Sequence, residues 1–166
     1  MKKFSSFCLL LLVGIIVAGF ISRNNSDSGQ PIAYNHFIHV EENGMECLDC
    51  HIYAEKNSRA SIPNIETCRD CHEEAVSESE EELTLVNYIS ENKKIPWRQI
   101  YFVPDHAYFS HRRHVTLGKL DCIVCHGDVG SQTKPVTEPV NDIKMDWCRD
   151  CHEERGVSSD CYACHR

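Results

Sequence analysis

Five times in 166 residues the chain repeats one pattern, C-x-x-C-H: at Cys47 to His51, Cys68 to His72, Cys122 to His126, Cys148 to His152 and Cys161 to His165. Ten of its 11 cysteines fall inside the repeats, and only Cys8 stands outside. Zinc sites also use C-x-x-C pairs, and an exported chain can join cysteines as disulfides. Neither requires a histidine after every pair. Covalent haem attachment does. Two thiols three positions apart reach the two vinyl groups of one porphyrin, and the next residue sets its imidazole under the iron. The pattern therefore predicts five haem c groups. Their covalent anchors are Cys47, Cys50, Cys68, Cys71, Cys122, Cys125, Cys148, Cys151, Cys161 and Cys164, and the proximal iron ligands are His51, His72, His126, His152 and His165.

A haem iron has two axial positions, and the chain holds 10 histidines. The five outside the motifs are His36, His39, His106, His111 and His114. The count predicts bis-histidine ligation, with these five as distal ligands. An internal duplication organises them. Tyr34-Asn-His36-Phe-Ile-His39-Val40 parallels Phe109-Ser-His111-Arg-Arg-His114-Val115, and in each copy the second histidine lies eight residues before the next cysteine. Each copy closes on the same seven residues, CRDCHEE, at Cys68 to Glu74 and Cys148 to Glu154. One unit is thus H-x-x-H followed by two attachment sites. The two histidines of H-x-x-H share a helical face and can serve two neighbouring irons. The last motif is an addition to the second copy, and His106 is the histidine left for a fifth iron. Met45 and Met145 are competing axial ligands, though packing is the commoner role for methionine.

Side chains alone would make a thin core. Hydrophobic content is 42%, but much of it lies in the first 21 residues. The predicted fold is mainly α with large irregular content, compact, with a haem-filled core and an N-terminal transmembrane helix. Residues 1–22 read as a membrane anchor or uncleaved signal: Lys2 and Lys3 precede an apolar stretch, and Leu9 to Phe20 carries no polar side chain. Lys2 and Lys3 stay inside and the remainder is exported. Residues 23–30 are a linker, 31–76 a two-haem unit, 77–105 a helical and aromatic linker, and 106–166 a three-haem unit. Within the linker, Ser77 to Lys94 starts on Glu78, Glu80, Glu81 and Glu82 and ends on Lys93 and Lys94 ahead of Pro96. That charge order suits a helix dipole. Leu83, Val86 and Ile89 are its predicted inner stripe, and its predicted role is to bridge the units. Gly127 to Ile143, with Pro135 and Pro139, reads as a loop.

The formal charge is −8. An acidic chain lacks the basic footprint of a nucleic-acid binder and suits a partner with a basic patch. Five macrocycles in a globule whose radius of gyration is about 15 Å must lie close together, as electron tunnelling requires.

Further stretches carry a resemblance. Ile95-Pro96-Trp97, Val103-Pro104-Asp105, Tyr108-Phe109-Ser-His111-x-x-His114-Val115, Cys122-x-x-Cys125-His126-Gly127, Met145-Asp-Trp147-Cys148-x-x-Cys151-His152 and a final C-x-x-C-H-R together resemble the pentahaem cytochrome subunit of alternative complex III. Cytochromes of the c3/c7 type share the same grammar. The pattern departs from the family at Asp146 and at Ser58-Arg59-Ala60, where the family carries a further histidine; this directs attention to His106. The resemblance implies an electron relay at the outer face of the cytoplasmic membrane. It would join membrane subunits of a quinol-oxidising complex to an extracytoplasmic acceptor such as a small cytochrome or copper protein. On this view the chain carries electrons without a substrate of its own. The alternatives are a multihaem reductase of a small oxyanion and a free periplasmic shuttle.

Overall fold

The computed structural model describes residues 29–165. The predicted anchor at 1–22, and all but the last two residues of the linker 23–30, lie outside them. No helix among the described residues is long and apolar enough to cross a membrane.

Short helices form where the motifs are. They are α1 (Cys47–Cys50), α2 (Ile65–His72), α3 (Glu80–Ser90), α4 (Cys122–His126), α5 (Met145–Glu154) and α6 (Cys161–Cys164). Two π turns, Ile38–Glu42 and Arg113–Leu117, carry the second histidine of each H-x-x-H. Each continues a helical turn that opens at His36 or His111. The other described residues are irregular, apart from one antiparallel bridge among them, between Ala107 and His165.

Most of these helices are too short to persist alone, so their ends are tied. Glu46 and Asp49 form a capping box on α1, with the Glu46 N–H donating to Asp49 Oδ2 at 2.7 Å. Asn64 caps α2 and clamps a distant strand-like segment. Its Oδ1 accepts from the Ile65 and Ile95 N–H groups at 3.0 and 2.9 Å, and its Nδ2 donates to the Ile95 carbonyl at 3.1 Å. Ile95 is only 3% exposed, so its backbone groups have no ready solvent substitute. Asn64→Ala is expected to cost about 2 kcal/mol, from the lost cap and two stranded polar groups; a chemical-denaturation series on the haem-loaded protein measures it.

The apolar core is small and one-sided. Ile32, Ile65, Ile89 and Ile95 form it, with Cys68, Leu85, Tyr88 and Trp97 packed around them. Ala54 is the remaining buried apolar residue, and beyond Ile95 no described residue is buried. The second half of the chain therefore has no side-chain core of its own, and something else must fill it.

Helix α3 corrects one expectation. Ile89 does enter the core, but Leu83 is 52% exposed. The inward face runs through Glu82, Leu85 and Ile89, with Tyr88 alongside. The helix is rotated from the predicted stripe because Glu82 turns inward to a histidine, fixing the phase that Leu83 would otherwise have set.

Candidate haem sites built from histidine pairs

Four of the five motif histidines meet, ring to ring, one histidine from outside the motifs. Imidazoles on opposite faces of one iron, each bonded at about 2 Å, place their ring centroids roughly 6 Å apart. The His39 and His72 rings lie 6.2 Å apart, His114 and His152 6.1 Å, and His111 and His126 6.3 Å with their planes only 3° apart. His106 and His165 lie closer, at 5.4 Å. For His36, after burial, His51 is the charge that acts most strongly. Eight histidines thus form four ring pairs, and His36 and His51, electrostatic neighbours, are the two that remain. In the second copy the first histidine of H-x-x-H faces the first motif and the second faces the next; in the first copy His39 likewise faces the second motif.

The duplication extends to the rings that position the histidines. Tyr34 stacks on His39 at 4.6 Å and meets His36 edge-on at 4.7 Å. Phe109 stacks on His114 at 4.6 Å and meets His111 edge-on at 4.8 Å. The second histidine of each copy also bonds the carbonyl four residues before it: His39 Nδ1 to Asn35 at 2.9 Å, and His114 Nδ1 to Ser110 at 2.8 Å.

Most Nδ1 atoms are tied in the same sense. His111 reaches the Ser58 carbonyl at 3.1 Å, His152 the Ser158 carbonyl at 2.7 Å, and His165 the His106 carbonyl at 3.0 Å. His72 reaches Glu82 Oε1 at 2.8 Å. All these partners only accept, so each Nδ1 carries the proton and each Nε2 keeps its lone pair. That is the tautomer an iron ligand needs. His36 Nδ1, in contrast, is buried without a partner.

Electrostatics agrees with ligation. Burial holds His36 down at about 4, with His51 and His39 adding to the effect. Burial likewise lowers His51, His111 and His126. These rings are neutral at pH 7, the form that binds metal. No disulfide joins any of the ten motif cysteines. Burial raises Cys50, Cys122, Cys125 and Cys148, and lifts Cys68 to about 11, which disfavours the thiolate that disulfide exchange would need. Histidine pairs at iron-spanning distance, fixed tautomers and cysteines that pair with no other cysteine fit haem c.

The motifs also lie in a row. Cys50 neighbours Cys68 and Cys71, Cys47 neighbours Cys122, Cys125 neighbours Cys148 and Cys151, and Cys148 neighbours Cys164. Counted along the chain, the spatial order is second, first, third, fourth, fifth. The two copies thus meet through their first motifs. Thr116 strengthens that junction by donating to the Glu55 carbonyl at 2.7 Å.

Sequence reasoning missed three elements of this arrangement. The Ser58 and Ser158 carbonyls left no signal, since any residue offers one. Glu82 sat in an acidic run that reads as a helix start. The differing chain after two identical CRDCHEE segments was the one available sign that their histidines are held differently.

The match to known proteins is consistent with the geometry. Residues 107–166 match the family of cytochrome c7 and related cytochrome c. The menaquinone reductase multiheme cytochrome c subunit of Nitratidesulfovibrio vulgaris is 31% identical, over 93% of this chain and 88% of that protein. The chain belongs to this family of multihaem c-type cytochromes, electron-transfer proteins with covalently bound haem c.

Proposed function

We propose that the chain is the five-haem electron-relay subunit of a membrane quinone oxidoreductase of the alternative complex III type. Residues 1–22 would anchor it to the cytoplasmic membrane, with its haems on the extracytoplasmic side. The histidine pairing carries this reading: four ring pairs, with His36 left beside His51, would supply two imidazoles to each of five irons. Bound haem supplies reversible one-electron storage. The protein fixes the axial imidazoles and sets the sites next to one another.

The resemblance in sequence favours electrons arriving from quinol and leaving to a small cytochrome or copper protein. The relative's name, menaquinone reductase, favours the opposite sense. A row of similar sites conducts either way, and the potentials of the partners choose. Adding a menaquinol analogue to membranes containing the intact complex tests the direction: haem reduction supports the oxidising sense, whereas reoxidation of pre-reduced haems by the quinone supports the other.

Carbon monoxide separates relay from reductase. With every iron six-coordinate, the reduced protein is expected to bind none rapidly. Fast stoichiometric binding at one haem would favour a reductase.

A further inference from the structure

The two copies of the duplicated unit are alike in sequence at CRDCHEE and differ in what holds the histidine there. His152 Nδ1 donates to a backbone carbonyl, that of Ser158, at 2.7 Å. His72 Nδ1 donates to the carboxylate of Glu82 at 2.8 Å. Among the described histidines with a ring hydrogen bond, His72 alone faces a carboxylate.

Glu82 is built into this position. Its side chain is 9% exposed. Oε1 also accepts the Val76 N–H at 2.8 Å, and Oε2 accepts the Ser77 hydroxyl. The carboxylate thus accepts three hydrogen bonds, spread over both its oxygens, and meets the ring from helix α3.

We infer that Glu82 is a positioning residue that lowers the potential of the haem at Cys68 and Cys71 below that of its duplicate at Cys148 and Cys151. A carboxylate draws the Nδ1 proton more strongly than a carbonyl does. The imidazole becomes a better donor through Nε2 and stabilises ferric iron over ferrous. The affected site lies at one end of the row. A low potential there gives the row a downhill sense, away from the second motif and toward the fifth.

The inference rests on His72 as an iron ligand, and that premise is tested first. His72→Ala in the haem-loaded protein is expected to convert one haem from low to high spin by EPR; an unchanged spectrum removes the premise. Spectroelectrochemical titration then compares wild type with Glu82→Gln, Glu82→Asp and Glu81→Gln. Glu82→Gln keeps an acceptor for His72 but removes the charge. It is expected to raise the potential of one haem, the low-potential member of the pair, and to narrow the spread. Glu82→Asp retains a carboxylate and should restore part of the lowering. Glu81→Gln deletes the same charge one position away, where Glu81 bonds the Ala33 N–H at 2.6 Å. A shift in Glu82→Gln no larger than in Glu81→Gln overturns the inference, as does no shift at all.

Discussion

Replacing Cys148 and Cys151 together by alanine is expected to remove one covalently bound haem and to abolish cooperative unfolding of the second half of the chain. The reason is the uneven core. Among the described residues every buried apolar one lies at or before Ile95, so those after it have no side-chain core to fall back on. Helix α5 carries both thiols and sits between neighbours, with Cys151 facing Cys125 and Cys148 facing Cys164. Loss of its haem would withdraw the packing that joins the third and fifth sites. The matched change in the first copy, Cys68→Ala with Cys71→Ala, should also cost one haem. It should leave a folded protein, because α2 still has Ile65 in the isoleucine cluster and Asn64 bonded to Ile95. Intact mass gives the haem count, and denaturation followed in the far ultraviolet gives the cooperativity. Equal damage from the two double variants would show that haem does not replace a missing core in the second half.

Part of this protein is written locally and part is not. Attachment chemistry depends on thiols three positions apart and a histidine beside them, so the motif residues were legible from spacing. The duplication was legible for the same reason, and the matching rings of Tyr34 and Phe109 on their histidines carry it into three dimensions. Pairing was not legible, because it joins residues far apart, such as His39 with His72 or His106 with His165, through packing that sequence spacing does not encode. The phase of α3 was misread for a related reason. Apolar periodicity selects Leu83, but a part-buried hydrogen bond from His72 to Glu82 outweighs one leucine, since leaving such an N–H unpaired costs about 1 kcal/mol and an exposed leucine is ordinary. Charge order correctly indicated an acidic helix start, yet it concealed that two of the three glutamates there hold other segments: Glu81 holds Ala33 and Glu82 holds His72.

His111→Ala provides the most direct view of a single iron. His111 lies 6.3 Å from His126 with the planes 3° apart, and its Nδ1 is tied to the Ser58 carbonyl at 3.1 Å. Truncation takes away one axial ligand and leaves the thioethers at Cys122 and Cys125 untouched. The haem should therefore stay attached while its iron becomes five-coordinate and high spin, visible by EPR, and newly able to bind carbon monoxide when reduced. Damage to the fold should be slight. The Nδ1 bond is lost, at about 1 kcal/mol, but the backbone bonds that dock this turn on the first copy remain: His111 N–H to Ser58 at 3.0 Å and Arg112 N–H to Asn57 at 3.1 Å. His111→Met is the complementary change. A thioether that reaches the iron would restore low spin and raise the potential of that haem. His36→Ala should act the same way at the first motif, and more readily, because His36 Nδ1 has no hydrogen bond to hold the ring. If the His111→Ala protein keeps an unaltered low-spin spectrum and ignores carbon monoxide, the pairing with His126 is wrong, and a methionine or a different histidine must occupy that face of the haem.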